Sequence, residues 1–184
     1  MTNIHITKIK GVRISKSISV FDSRGIFIKL HPFKEFKNNL DSVAISINPT
    51  PGTIRGMHFQ IEPFAEEKII SCIQGSVFDV IVDIRPQSHT FGKWASFELS
   101  DHNQVQAYLP KGIAHGFQTL QPDTIIQYCL SASYSPESAY SIDPIGELSI
   151  NWPIKDFLIS AKDSGGLSLS TAAYKYAQSI ENLL

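Results

Sequence analysis

Val77-Phe78-Asp79-Val80-Ile81-Val82-Asp83-Ile84 is the stretch that decides how this chain folds. It is rich in β-branched residues and almost continuously apolar. Turn sequences bound it on both sides, Gln74-Gly75 before and Arg85-Pro86-Gln87-Ser88 after. A run of this length and composition reads as a strand, and one without a polar face needs cover on both faces. Outward from it the same pattern recurs. Residues 68–73 make a strand before it, and residues 93–99, 105–109, 113–117 and 124–130 make strands after it. Asp101-His102-Asn103, Pro110-Lys111-Gly112 and Gln121-Pro122-Asp123 supply the turns. Short strands with turn residues at regular spacing predict an all-β sandwich or barrel.

Residues 4–20 alternate enough for one or two short edge strands. Asp22-Ser23-Arg24-Gly25 is a turn before a strand at 26–30. Residues 32–40, with Phe33 and Phe36, suit a short helix. Residues 41–48 then alternate, with Val43, Ile45 and Ile47 on one face and Ser42, Ala44 and Ser46 on the other. After Trp152-Pro153 the character changes. Residues 170–184 place Ala173, Tyr176, Ala177, Ile180 and Leu184 near a 3.6-residue period, with Ser170 or Thr171 available as a cap. The expectation is one β domain over 1–184 with a helical tail from about residue 154.

A chain of 184 residues can bury roughly 70% of its unfolded surface without a metal or disulfide staple. The net charge of −1 argues against a nucleic-acid footprint of clustered Lys and Arg. Cys72 and Cys129 form no CxxC pair and read as free thiols. No signal sequence and no apolar run of membrane-spanning length is visible, so a cytoplasmic protein with no membrane association is expected.

Gly52-Thr53-Ile54-Arg55-Gly56-Met57-His58-Phe59-Gln60 carries the densest chemistry: a fixed cation, an imidazole and an amide, with glycines beside the arginine. In a regular strand Arg55 and His58 point to opposite faces. A β-bulge at Gly56 would bring them together. Lys68 opens the next strand, His115 follows the Pro110-Lys111-Gly112 turn, and Tyr128 shares a face with Ile126 and Leu130. A base, a cation, a second imidazole and a phenol, with no thiol nucleophile, suit proton transfer beside a carbonyl. Each has a plain structural alternative: Lys68 a solvated strand end, Tyr128 a core residue with its hydroxyl at the rim, His115 a turn support.

The chain resembles the dTDP-4-dehydrorhamnose 3,5-epimerase family of cupins. The resemblance rests on Asp22-Ser23-Arg24-Gly25, the Gly52–Gln60 stretch, residues 77–85, Thr90-Phe91-Gly92-Lys93-Trp94 and Gly112-Ile113-Ala114-His115-Gly116-Phe117. Tyr134-Ser135-Pro136-Glu137, Asn151-Trp152-Pro153 and Ile159-Ser160-Ala161-Lys162-Asp163 extend it in the family's order. It implies a jelly roll that forms homodimers and needs no cofactor or metal. The implied activity inverts C3 and C5 of a nucleotide-linked 4-keto-6-deoxyhexose, in dTDP-rhamnose and polysaccharide biosynthesis. His58 would be the general base, paired with Asp163. Tyr128 would be the acid on the opposite face of the sugar, and Lys68 the enolate-stabilising cation. Arg55 and, from the second subunit, Arg24 would hold the diphosphate. His115, Tyr134 and Gln60 would complete the substrate pocket.

The physical account agrees with these roles. Only the C4 ketone acidifies the hydrogens on C3 and C5. A preorganised donor at the enolate oxygen is worth about 3 kcal/mol. The chain also departs from the family's pattern. The family's inward Gln and Asn before the Gly52 loop fall, counted without gaps from Arg55, on Val43 and Ile45; a one-residue shift puts Ala44 and Ser46 there instead, so neither register restores the pair. A glutamate after the Asp22–Gly25 turn is Lys29, and Ser138-Ala139-Tyr140-Ser141 lacks an expected arginine. Rival readings are a single-centre epimerase, a metal-dependent cupin oxygenase and a non-catalytic sugar-nucleotide binder. The oxygenase needs a His-x-His motif, which Phe59-Gln60 after His58 does not supply.

Overall fold

The computed structural model of the protein describes residues 4–6, 8–30, 33, 36 and 40–183. The deciding stretch forms β8 (Ser76–Asp83), and both its faces are covered. Val77 and Ile81 face an interior shared with Ile70, Leu109, Phe117 and Ile126. Val80 and Val82 point the other way, against Ile54, Met57, Trp152 and Tyr176.

Two antiparallel sheets enclose that interior. The first runs β1 (Ile4–Ile6), β2 (Arg13–Lys16), β10 (Val105–Leu109), β7 (Lys68–Gln74), β12 (Thr124–Leu130) and β5 (Ser42–Asn48). The second runs β13 (Ala139–Ser141), β6 (Thr53–Gln60), β11 (Ile113–Thr119), β8 and β9 (Trp94–Ser100), with β14 (Leu158–Ile159) parallel to β6. Neighbours distant in sequence, such as β12 between β7 and β5, mark crossovers of a jelly roll. A separate hairpin of β3 (Ile18–Asp22) and β4 (Gly25–Lys29) pairs only with itself among the described residues.

The bulge expected at Gly56 is present. β6 and β11 pair His58 with His115 and Arg55 with Phe117, so Gly56 and Met57 stand against Gly116 alone. Gly56 takes φ 127°, and a Cβ there would stand 2.4 Å from the Gly116 Cα. Only glycines permit this approach. The extra residue resets the alternation, so Ile54, Met57 and Phe59 all enter the outer core. Arg55 and His58 are thereby turned to the interior face.

The C-terminal region differs from its expectation. The chain after residue 154 first adds β14, then a one-turn helix α1 (Ala161–Ser164), then α2 (Leu169–Glu181). Ser168, not Ser170 or Thr171, caps α2, its Oγ accepting from the Thr171 N–H at 3.2 Å. The buried face is Ala172, Ala173, Tyr176 and Ser179, while Ile180 stays exposed. Residue 184 lies outside the described residues. The helix expected at 32–40 also falls largely outside them, although Phe33 and Phe36 pack on Ile69 and Tyr108.

Candidate active site

A cavity of about 270 Å³ opens on the interior face of β6, β7 and β12, and His58, Gln60, Lys68, Tyr128, Tyr134 and Lys162 line it. Five of these six are residues singled out in the sequence. The bulge delivers His58, β7 opens on Lys68, and the β7–β12 register sets Tyr128 opposite Ile70.

His58 Nε2 lies 2.8 Å from Asp163 Oδ1, and the Gly56 N–H donates to Oδ2 at 3.2 Å. Burial alone would raise Asp163. Hydrogen bonds from His58, Gly56 and Ser160 and the charge of His58 outweigh it and hold the carboxyl below its ordinary value. An ionised carboxylate only accepts, so Nε2 carries a proton, and in the neutral ring the lone pair is therefore on Nδ1. Helix α1 exists to place this group: Ser160 caps it and fixes the Asp163 backbone, whose N–H donates to Ser160 Oγ at 3.1 Å.

Lys68 is no solvated strand end. Its side chain is 8% exposed, with Nζ 3.0 Å from Glu66 Oε1, itself 9% exposed. Nζ also reaches the His58 carbonyl at 3.4 Å. Glu66 lines the cavity and was not singled out in the sequence; its signal was only its spacing two before Lys68. A buried ammonium without a counter-charge is costly, and Glu66 supplies one.

Tyr128 lines the cavity with its hydroxyl set deep. Burial pushes the phenol above its ordinary range. A hydrogen bond from Ser46 and the charge of Arg55 act against that, and the charge of Asp79 adds to it. His115 does not line the cavity. It is buried behind it, Nε2 2.8 Å from Asp79 Oδ2 and ring edge-on to Tyr128 with centroids 6.3 Å apart. Burial raises Asp79, more than the charge and hydrogen bond of His115 lower it.

Gln60 sits at the cavity wall with its amide fully committed to backbone. It donates to Phe64 and Ser133 carbonyls and accepts from the Ser135 N–H at 2.8 Å. It thus fixes the segment carrying Tyr134, whose side chain stands exposed at the cavity. Arg55 donates Nε–H to Asn48 Oδ1 at 2.7 Å. Arg24 is apart from all of these, at the β3–β4 turn, 88% exposed and paired to Asp22 at 2.6 Å.

The gapless count that put Val43 and Ile45 at ligand-facing positions is corrected by the β5–β12 register. Val43, Ile45 and Ile47 face outward, 56–61% exposed. Ser46 and Asn48 face inward, toward Tyr128 and Arg55. A single residue of slip reverses every side chain of a strand. Among the described residues no three His, Cys, Asp or Glu side chains converge as metal ligands, and no helix is long and apolar enough to cross a membrane.

The known proteins this chain resembles are sugar epimerases; several are named dTDP-4-dehydrorhamnose 3,5-epimerase, one a 3-epimerase and one a 3'-monoepimerase. The dTDP-4-dehydrorhamnose 3,5-epimerase family matches residues 6–171. The chain is 41% identical over 176 residues to the enzyme of that name from Sinorhizobium fredii, covering 91% of this chain and 88% of that one. It is similar to the dTDP-4-dehydrorhamnose 3,5-epimerase of Bacillus anthracis, crystallised with TDP and PPi bound. That match has a TM-score of 0.85 and 33% identity over 91% of this chain and 99% of that one. A third likeness is the Legionella pneumophila dTDP-6-deoxy-D-glucose-3,5-epimerase in complex with dTDP-4-keto-L-rhamnose. There the TM-score is 0.83, with 34% identity over 92% of this chain and 94% of that one. The shared fold and the match over most of the chain place this protein in the dTDP-4-dehydrorhamnose 3,5-epimerase family of cupins.

Proposed function

We propose that the protein is an isomerase that inverts C3 and C5 of a dTDP-linked 4-keto-6-deoxyhexose, by proton removal from one face and return to the other. One observation carries the reading: a single cavity holds a carboxylate-oriented imidazole, a buried ammonium and a phenol. In this reading His58 Nδ1 takes the proton α to the ketone, Asp163 stabilises the imidazolium, and Lys68 holds the developing enolate oxygen. Tyr128 protonates the opposite face. His115 backs the phenol, Tyr134 lies against the sugar, and Gln60 holds the segment that carries Tyr134. Arg55 grips the diphosphate with the planar fork that suits phosphate oxygens.

The reading includes a homodimer of single-domain chains in the cytoplasm. Two observations support the dimer. An isolated two-stranded hairpin is at best marginal in water, yet β3–β4 leaves Val20, Phe21 and Phe27 57–70% exposed. The outer face of β5 adds Val43, Ile45 and Ile47. Apolar surface of this extent marks an interface. Arg24 at the hairpin tip would then reach the second subunit's diphosphate. Unpaired Cys72 and Cys129 suit a reducing compartment.

The test is incubation of the dTDP-4-keto-6-deoxyhexose in deuterated water. Deuterium at both C3 and C5 with inversion supports the reading; label at one centre supports a single-centre epimerase, and none a binding protein. His58→Asn should remove exchange at both carbons. Tyr128→Phe should retain exchange while losing inversion, and equal loss of exchange in the two variants would overturn the roles.

A further inference from the structure

We infer that Ser46 and Asn48 form a directed hydrogen-bond chain that carries the positive charge of Arg55 to the Tyr128 oxygen, stabilising the phenolate left when Tyr128 gives up its proton. The inference rests on the proposed acid role of Tyr128.

The direction of the chain follows from which groups can only donate. Arg55 has no acceptor, so its Nε–H at 2.7 Å fixes Oδ1 as the Asn48 atom facing it. That orients the Asn48 amide, and Nδ2 must face the other way. There it has two N–H groups for three acceptors: the Thr124 carbonyl at 3.1 Å, Ser46 Oγ at 3.2 Å and the Ser46 carbonyl at 3.3 Å. A hydroxyl that accepts from Nδ2 has its own proton free to donate. The partner in reach is Tyr128 Oη, at 3.5 Å. With one Nδ2–H on Ser46 Oγ and the Ser46 hydroxyl turned to Tyr128, every donor points from the guanidinium toward the phenol oxygen.

The Ser46–Tyr128 contact is long for two neutral hydroxyls. Hydrogen bonds to an oxyanion are shorter and about twice as strong, so closing this contact as the proton leaves stabilises the phenolate more than the phenol. That difference is what helps an acid deliver a proton. Burial works against the phenolate, and Asp79 adds its charge. Asn48 is itself 1% exposed, so water does not screen the chain at its middle. β5 presents these residues because β12 pairs Ile126 with Ser46 and Thr124 with Asn48. Ser46 and Asn48 touch no reacting atom in this scheme. They are positioning residues, acting through Tyr128.

The experiment follows exchange and inversion separately in deuterated water. His58 removes the proton in every variant and can return deuterium to the same face without inversion. Ser46→Ala should therefore cut inversion about tenfold, as expected for one hydrogen bond to a charged group, and leave exchange within about twofold. Ser46→Thr keeps the hydroxyl and should restore the ratio. Asn48→Ala should lower inversion similarly and also weaken dTDP binding, since Arg55 loses its fixed partner. In a Tyr128→Phe background, Ser46→Ala should have no further effect. Parallel loss of exchange and inversion in Ser46→Ala, or a further loss in the Tyr128→Phe background, would overturn the inference. Wild-type labelling at C3 and C5 checks the underlying epimerase reading independently.

Discussion

Replacing Asp163 by Asn removes one acceptor oxygen from a carboxylate that His58 and Gly56 engage on separate oxygens. The carboxylate takes His58 Nε2–H on Oδ1 at 2.8 Å and Gly56 N–H on Oδ2 at 3.2 Å, at 4% exposure. An amide has one oxygen. If it faces Gly56, its NH2 meets His58 Nε2, which must then accept, so Nδ1 takes the proton and the base is lost. If it faces His58, the NH2 confronts the Gly56 N–H, two buried donors head to head, at a cost of about 1–3 kcal/mol. In both cases the imidazolium loses its counter-charge. Loss of a general base typically lowers rate by ~10²–10⁴, or about 3–5 kcal/mol of barrier. Asp163→Asn should therefore slow deuterium exchange at C3 and C5 by at least ~100-fold. Denaturant unfolding should show a stability loss whose pH dependence has a definite sign. Asp163 is held below its ordinary 3.8 in the fold. Its contribution is thus complete above 3.8 and disappears as pH falls through that value toward the lower folded one. The stability gap between wild type and variant should shrink with acid over that window. Exchange within threefold of wild type, or a gap that does not shrink, would refute the reasoning.

Arg55→Lys should weaken dTDP binding about tenfold or more by calorimetry, because a lysine cannot bond Asn48 and the diphosphate with one planar fork; unchanged affinity would place the diphosphate elsewhere. Gly116→Ala puts a Cβ 2.6 Å from Met57 Sδ and 2.7 Å from the Arg55 carbonyl. It should cost about 1–3 kcal/mol by overpacking, seen as a lower melting temperature with Arg55 and His58 displaced and activity lost. Lys68→Met strands the Glu66 carboxylate and should destabilise by about 3–5 kcal/mol. Adding Glu66→Gln should restore stability but not exchange, separating the packing role of Lys68 from the enolate-stabilising role proposed for it.

Much of this fold could be read from residue order because strand signals are local. The run at 77–84 demanded two covered faces, and each named turn sequence falls between two strands, some joining paired neighbours and others crossing from one sheet to the other. The bulge at Gly56 was legible for a physical reason: a glycine was the only residue that would let Arg55 and His58 share a face. The site beyond β6 was less legible. Glu66 looked like one more charge before a strand, and only the cavity shows it opposite Lys68. The family resemblance placed His115 in the substrate pocket. Its ring is instead committed to Asp79, a pairing that depends on the β8–β11 register rather than on local sequence. The cap of α2 was misplaced by two residues because Ser168, Ser170 and Thr171 all satisfy the same local rule, and packing chose among them.

β5 is where the sequence misled most, and the reason bears on the assembly. Its alternation was plain, but alternation does not say which face turns inward. The usual rule puts Val43, Ile45 and Ile47 inside and Ser42, Ala44 and Ser46 out. The register with β12 does the reverse. Two demands explain it. The interior beside β5 is the deep end of the site, where Tyr128 and Arg55 need hydroxyl and amide partners rather than methyl groups. The outer face then carries three aliphatic side chains, each more than half exposed. In a lone chain that face would gain nothing from them, since hydrophobic stabilisation scales with area removed from water. The β3–β4 hairpin shows the same pattern, apolar and unpaired, with an arginine at its tip. The proposed homodimer would satisfy both: a second copy would cover the aliphatic faces, and its Arg24 would bring a guanidinium to the site. Arg24→Ala should then weaken dTDP binding while leaving the dimer intact, whereas Ile45→Asp should dissociate the dimer. Sedimentation of the two variants separates these outcomes, and a monomeric wild type would remove the argument.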